Sequence, residues 1–288
     1  MHVLLSALLL FASAPGYQDE VTKWREKREA ALKAEDGWLS VAGLFWLKDG
    51  YNRIGTSPTA SIRLPRGPAN AAVITAHSDR VLHLAVNPGT AVTVNGKPVT
   101  SAELQPEQNG TVPDIIGIGN LKLFVIHRGA RNAVRLKDPE AATRREFTGL
   151  QWFPVQPEWK IEAKFVAYPQ PKKLVFETIV GEKEEDMSPG YAEFQKGGQQ
   201  IRLEATVESD SLFFVFRDKT AGKTTYPAAR FLNSAMPKDG KVTLDFNRAY
   251  NPPCAFTSFA TCPLPTPQNR LTIDIPAGEK MYHSKAHP

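Results

Sequence analysis

Apolar residues recur along this chain with two different periods. From Tyr17 to Glu35 the spacing is helical: Val21, Trp24, Ala31 and Leu32 form an intermittent apolar side in a run rich in Lys, Glu, Arg and Ala, and Gly37 after Asp36 marks a stop. From Gly43 onward apolar and polar positions mostly alternate, the period of a strand with one buried face. RVLHLAV (80–86), AVTV (91–94), LKLFVIH (121–127), KLVFETIV (173–180), QIRLEATVE (200–208), SLFFVF (211–216), KVTLDF (241–246) and RLTIDI (270–275) all read as strands. Asn95-Gly96 between Val94 and Lys97 is a two-residue hairpin signal, and Glu208-Ser209-Asp210-Ser211 is short enough for another. The pattern predicts a mainly β protein of antiparallel sheets with little helix beyond the one at the N-terminus. Strand rhythm breaks in DPEAATRREFTGLQWFP, so the expected divisions are a helix over 15–36, a first β domain over 37–140 and a C-terminal β domain with a Cys/Pro-rich loop over 150–282.

Composition narrows the class. With 288 residues, 42% hydrophobic content and a net charge of +5, the chain has the apolar content to fold and too little charge to stay disordered. The 23 prolines and 20 glycines favour turns and short strands over long helices. An excess of five positive charges does not argue for nucleic acid, and the basic run 127–145 has no aromatic residue for base stacking before Phe147. The N-terminus is different: VLLSALLLFA (3–12) has the length of a signal-peptide core, and Ala12-Ser13-Ala14 is a small-x-small cleavage pattern. A signal peptide over 1–14 is therefore expected, with a periplasmic or secreted mature protein. Ten apolar residues do not span a bilayer and no later run reaches the roughly 20 that would, so no membrane span is expected after cleavage.

Export changes the meaning of the two cysteines. Cys254 and Cys262 lie eight apart in NPPCAFTSFATCPLP, and in an oxidising compartment the simplest reading is a local disulfide. A redox pair or half of a metal site stays open, although the spacing is not Cys-x-x-Cys and no His, Asp or Glu lies between Arg248 and Gln268. No metal ligand set and no cofactor is expected. Gly-x-Ser-x-Gly, Ser-x-x-Lys, His-Glu-x-x-His and Gly-x-Gly-x-x-Gly are all absent from the sequence. Of the histidines after residue 14, His83 and His127 sit in strand patterns and His283 and His287 in the C-terminal tail.

Two regions concentrate polar chemistry. On KVTLDFN the apolar Val242, Leu244 and Phe246 alternate with Thr243, Asp245 and Asn247, so a buried face would project Asp245 and Asn247 toward the following proline-rich loop. That loop adds Arg248, Tyr250, Asn251, Thr257 and Asn269, and together these could line a small polar pocket or satisfy the loop's own backbone. The second region is basic: Arg128, Arg131 and Arg135, with Lys137, Arg144 and Arg145, could hold a carboxylate or phosphate, or be a solvated connector between domains.

Two resemblances follow from longer stretches. GLFWLKDGYNRIGTSPTASIRLP (43–65), VNGKPV (94–99) and DIIGIGNLKLFVIHRG (114–129) resemble the forkhead-associated (FHA) phosphothreonine-binding β-sandwich. Ile54-Gly55, Asn95-Gly96 and Asp114–Gly119 match its scaffold turns, whereas Thr56 stands where that family carries an arginine and no Ser-x-x-His follows Pro65. The resemblance implies that 37–140 is an antiparallel FHA-like β-sandwich, degenerate and kept as a scaffold, followed by the second antiparallel β domain. DGWLSVAGLFWLKDG (36–50), RGARNAVRLKDP (128–139), FNRAYNPPCAFTSFATCPLPTPQNRL (246–271) and AGEK (277–280) resemble the DUF1684 family, which implies no reaction and no catalytic residues. The expectation is an exported ligand-binding or interaction protein whose partner is a small molecule or an envelope protein. Its alternatives are an envelope hydrolase with a site built from 245–270, and a thiol redox or metal-binding protein.

Overall fold

The computed structural model describes residues 16–77, 81–108 and 110–283. The expected signal peptide and His287 lie outside them. Helix α1 spans Tyr17–Lys33, close to its expected range, and buries Val21 and Leu32.

The first half is built from β1 (Val41–Trp46), β2 (Gly50–Gly55), β3 (Ile62–Arg63), β4 (Ala72–Ala76), β5 (Leu82–Val86) and β6 (Thr93–Val94). It continues with β7 (Lys97–Pro98), β8 (Ser101–Glu103), β9 (Ile116–Ile118), β10 (Leu121–Arg128) and β11 (Arg131–Lys137). They form two sheets, in the orders β1-β11-β10-β9-β6-β7 and β3-β2-β4-β5-β8. Pairing is antiparallel except between β2 and β3. Ile54, Ile62, Ile74, Leu82 and Leu84 of one sheet pack against Ile116, Leu121, Leu123, Val125, Val134 and Leu136 of the other, which makes a sandwich with one shared core. The β6–β7 hairpin turns at Asn95 and Gly96, both at positive φ (51° and 78°), as the Asn-Gly pair requires.

The second half comprises β12 (Lys160–Glu177), β13 (Lys183–Lys196), β14 (Gln199–Glu208), β15 (Ser211–Phe216), β16 (Arg230–Ala235) and β17 (Lys241–Asp245). They make one antiparallel sheet in the order β16-β15-β14-β13-β12-β17. Its edges curl toward each other, and the Ser234 hydroxyl on β16 donates to the Thr243 carbonyl on β17 at 2.7 Å. Leu203, Phe214, Phe216, Leu232, Leu244 and Phe246 fill the concave side, separate from the sandwich core.

Two strand expectations change. RLTIDI (270–275) is not a strand: Leu271, Ile273 and Ile275 do pack on the second core, but the segment crosses it without a neighbour to ladder with. Its backbone is satisfied piecemeal by Arg217 and Lys219. The basic run is not a connector either. Arg131–Lys137 is a paired strand between β1 and β10. Val134 and Leu136 enter the sandwich core, so Arg131, Ala133, Arg135 and Lys137 share its outer face.

The tail returns to the second core and is pinned there by a buried arginine. Arg230, 1% exposed, donates from Nη1 to Asp218 Oδ2 (2.9 Å) and to the Ile275 carbonyl (3.0 Å), and from Nη2 to the Ala277 carbonyl. Gly278 follows at φ 81°, where a Cβ would collide with the Phe246 and Ala249 carbonyls and the Arg230 guanidinium.

Candidate functional site

The outer face of the sandwich sheet does not meet water along its whole length. Against it lie the 38–40 turn, α1 and the proline-rich loop of the second half, and between these layers is a cavity of about 390 Å³. Arg128, Arg135 and Glu107 come from the sandwich side, and Arg28 and Trp38 from the N-terminal segment. Phe213, Phe231, Tyr250, Thr261 and Cys262 come from the second half.

The cations on this wall are not equivalent. Arg128 Nη2 donates to Glu107 Oε1 at 2.6 Å, and its Nε reaches Thr261 Oγ1 at 3.1 Å and Glu184 Oε1 at 3.3 Å. Arg28 donates to the Asn251 carbonyl at 2.9 Å, lies 3.8 Å from Glu279 Oε2 and stacks over Tyr250, 4.6 Å from the ring centroid. Arg135 is 3% exposed, and its Nε and Nη2 have no hydrogen-bond partner. Its guanidinium sits over Trp38, 4.8 Å from the ring centroid, and burial pushes it down to about 10. A cation taken out of water without a bonded anion is costly, so Arg135 is the anomalous group of this wall.

The apolar walls come from Phe213 on β15, Phe231 on β16, Tyr250 of the proline-rich loop and Trp38. Phe213 and Phe231 meet edge to face at 4.9 Å, and Phe231 meets Tyr250 at 5.8 Å. The Tyr250 hydroxyl is turned away to Asn233 Oδ1 (2.7 Å), which leaves its ring on the cavity.

The other residues singled out in the sequence are dispersed. Arg131 stacks on Trp46 at 3.8 Å and pairs with Glu182 at 3.3 Å, outside the cavity. Asp245 accepts from Tyr17 Oη at 2.7 Å and from Asn247 N, and pairs with Arg248 Nε at 3.1 Å. With Arg248 it lines a separate open groove beside Lys160 and Lys241. Asn247 is fully buried and bonds both backbone groups of Gln156. Asn251 donates to Glu279 Oε1 (2.8 Å), Thr257 to the Val41 carbonyl (3.3 Å), and Asn269 clamps β14 to β15 through Glu204 and Val215. Most of the polar groups singled out in 245–270 thus satisfy backbone, and of those residues Tyr250 alone lines the cavity. His127 Nδ1 is held by Asn132 Oδ1 at 2.8 Å.

The cysteines are free thiols in this structure rather than bonded. They nevertheless face each other, with Cys254 N donating to Cys262 Sγ at 3.2 Å. Contact with Cys254 and burial push the Cys262 thiol up, whereas the same contact lowers Cys254. Among the described residues no group of three or more His, Cys, Asp or Glu is placed to hold a metal ion. No helix among them is long and apolar enough to cross a membrane.

Sequence reasoning missed Trp38, Phe213, Phe231, Arg28 and Glu107, since each reads as an ordinary element residue until the layers stack. Glu279 was missed too. It is fully buried between Arg28, Asn251 and Arg230, and burial pushes its carboxyl up to about 7.

Comparison with known proteins adds a family match over the second half and no activity. The chain is similar to an uncharacterized protein from Haloarcula marismortui, solved by NMR, at 32% identity over 48% of this chain and 78% of that one, with a TM-score of 0.40. It is also similar to an FHA domain studied for phosphothreonine-dependent interactions, at 24% identity over 33% of this chain and 92% of that one (TM-score 0.24). The FhaA FHA domain, complexed with an intracellular domain of another protein, gives 24% identity, 33% and 97% coverage and a TM-score of 0.23. No curated protein matches. The sequence profile of the family described as "Protein of unknown function (DUF1684)" matches residues 145–280, the second β unit and its tail.

Proposed function

We propose that this is an exported binding protein that holds a small acidic molecule in the cavity between its two β units. Arg135 carries the reading: a cation 3% exposed, on the cavity wall, with two guanidinium nitrogens lacking any partner. The walls set ring surface from Trp38, Phe213, Phe231 and Tyr250 beside convergent charged groups, a combination that can both bury and orient a small molecule. An anion entering it would supply the partners that Arg135 lacks. A thermal-shift screen of acidic, neutral and basic small molecules is the test, since a ligand stabilises the folded state by mass action. Acids should raise Tm in the native protein and leave Arg135→Met unmoved. Equal shifts in both proteins, or no stabilising acid, count against the reading.

Export rests on the apolar run 3–12 and the Ala12-Ser13-Ala14 pattern. Protein recovered from the envelope or medium should begin at Pro15 or within a few residues of it. An intact Met1 on cytoplasmic protein ends that half of the proposal.

One observation supports a second reading, a thiol redox protein. Cys262, on the cavity wall, is in contact with Cys254, the thiol whose proton is held less tightly.

A further inference from the structure

From the carboxylates around the cavity and the two unpartnered nitrogens of Arg135, we infer that the acidic group recognised is a carboxylate, carried on a small flat apolar body. This rests on the anion-binding reading above and goes further by choosing among anions.

Charge is the first argument. Arg128 is neutralised by Glu107 and Glu184, and Arg28 by Glu279. Glu208, exposed on the rim, adds a negative charge. Arg135 is thus the one of these three guanidinium groups with no carboxylate partner, on a wall where four carboxylates already face three cations. A carboxylate adds one negative charge, whereas a phosphate monoester near neutral pH adds about 1.5 to 2 and is repelled more strongly by these four carboxylates.

Geometry is the second. The nitrogens without partners are Nε and Nη2. Together they form the side-on edge of the guanidinium, whose two parallel N–H bonds match the two oxygens of a carboxylate. The side chain lines the cavity and these two nitrogens are buried beside it, so a carboxylate that engages them requires a side-chain torsion toward the void.

The body of the ligand follows from the remaining walls. Trp38, Phe213, Phe231 and Tyr250 offer ring surface, and about 390 Å³ is near the lower end of ligand-pocket volumes. Edge-to-face and offset contacts then favour a planar, conjugated acid of modest size.

The test is calorimetric titration of the purified protein with trans-cinnamate, benzoate, benzamide, phenyl phosphate and inorganic phosphate. Cinnamate or benzoate should saturate one site, benzamide should give no measurable binding, and phenyl phosphate should bind at least tenfold more weakly than the carboxylates. Arg135→Met should abolish carboxylate binding. Arg135→Lys, which keeps the charge and loses the fork, should weaken it at least tenfold with an unchanged circular-dichroism spectrum. If either phosphate binds as tightly as the carboxylates and depends on Arg135, the carboxylate assignment falls and the anion-binding reading stands. If no probe binds, or if Arg135→Met binds cinnamate as the native protein does, both fall.

Discussion

Arg135 lies on the face of Trp38, its guanidinium carbon 4.8 Å from the ring centroid, and the two come from opposite sides of a layer boundary. Arg135 is in the middle of β11, and Trp38 opens the short turn that follows α1. The stacking holds the plane of a cation that no carboxylate is bonded to, which is a costly arrangement unless something else uses it.

Removing that cation should therefore not weaken the fold. Unpaired buried donors cost about 1–3 kcal/mol each, and the stack on Trp38 returns about 0.5–2 kcal/mol. Without added ligand, Arg135→Met is expected to unfold at the same or a higher temperature than the native protein. Denaturant melts read this directly, and a loss of more than about 1 kcal/mol would mean that Arg135 is a structural group.

Glu279 should give stability a pH dependence of a particular sign. Burial raises its carboxyl from 4.5 to about 7 in the folded chain, against the opposing pull of Arg28. Between those values the folded state holds a proton that the unfolded state has released. This group's contribution is thus complete below 4.5 and is lost as pH rises toward about 7. Glu279→Gln should flatten that part of the stability curve. A wild-type slope retained in the variant would assign it to other groups.

The thiol pair is expected to close into a disulfide in protein taken from an oxidising compartment, because the two residues already touch. Thiol counting under denaturing, non-reducing conditions should find none free. Cys254→Ser should then cost about 1–3 kcal/mol, toward the low end for so short and proline-restrained a loop. Two free thiols in envelope-derived protein refute the bond.

Residues 43–130 should show no phosphothreonine affinity. Thr56 occupies the turn after Ile54-Gly55 and bonds the Gly67 carbonyl, and the nearby Arg66 spends its fork on Asp138, with two contacts of 2.7 Å. Titration of a phosphothreonine peptide library should give no saturable isotherm, and micromolar binding would overturn this.

Local pattern determined a good deal of this protein. α1, both tight hairpins and most of the strands follow from periods of 3.6 and 2 and from turn residues such as Asn95-Gly96, because each depends on neighbours a few residues away. RLTIDI shows the limit: its alternation correctly marks Leu271, Ile273 and Ile275 as core residues, yet a strand also needs a partner edge, which is a property of the whole sheet.

The site divides in the same way. Arg128, Arg135 and Tyr250 were visible as chemistry-bearing types, but Asp245, Asn247, Asn251, Thr257 and Asn269 are spent on backbone and ion-pair partners that only the folded chain supplies. Nothing in β11 distinguishes Arg131, which pairs with Glu182 and stacks on Trp46, from Arg135, which is left without partners at Nε and Nη2. That difference is made by what covers each position. A charge's cost and its availability depend on solvent exclusion and on partners distant in sequence, and these were decided only when α1, the sandwich and the proline-rich loop came together around it.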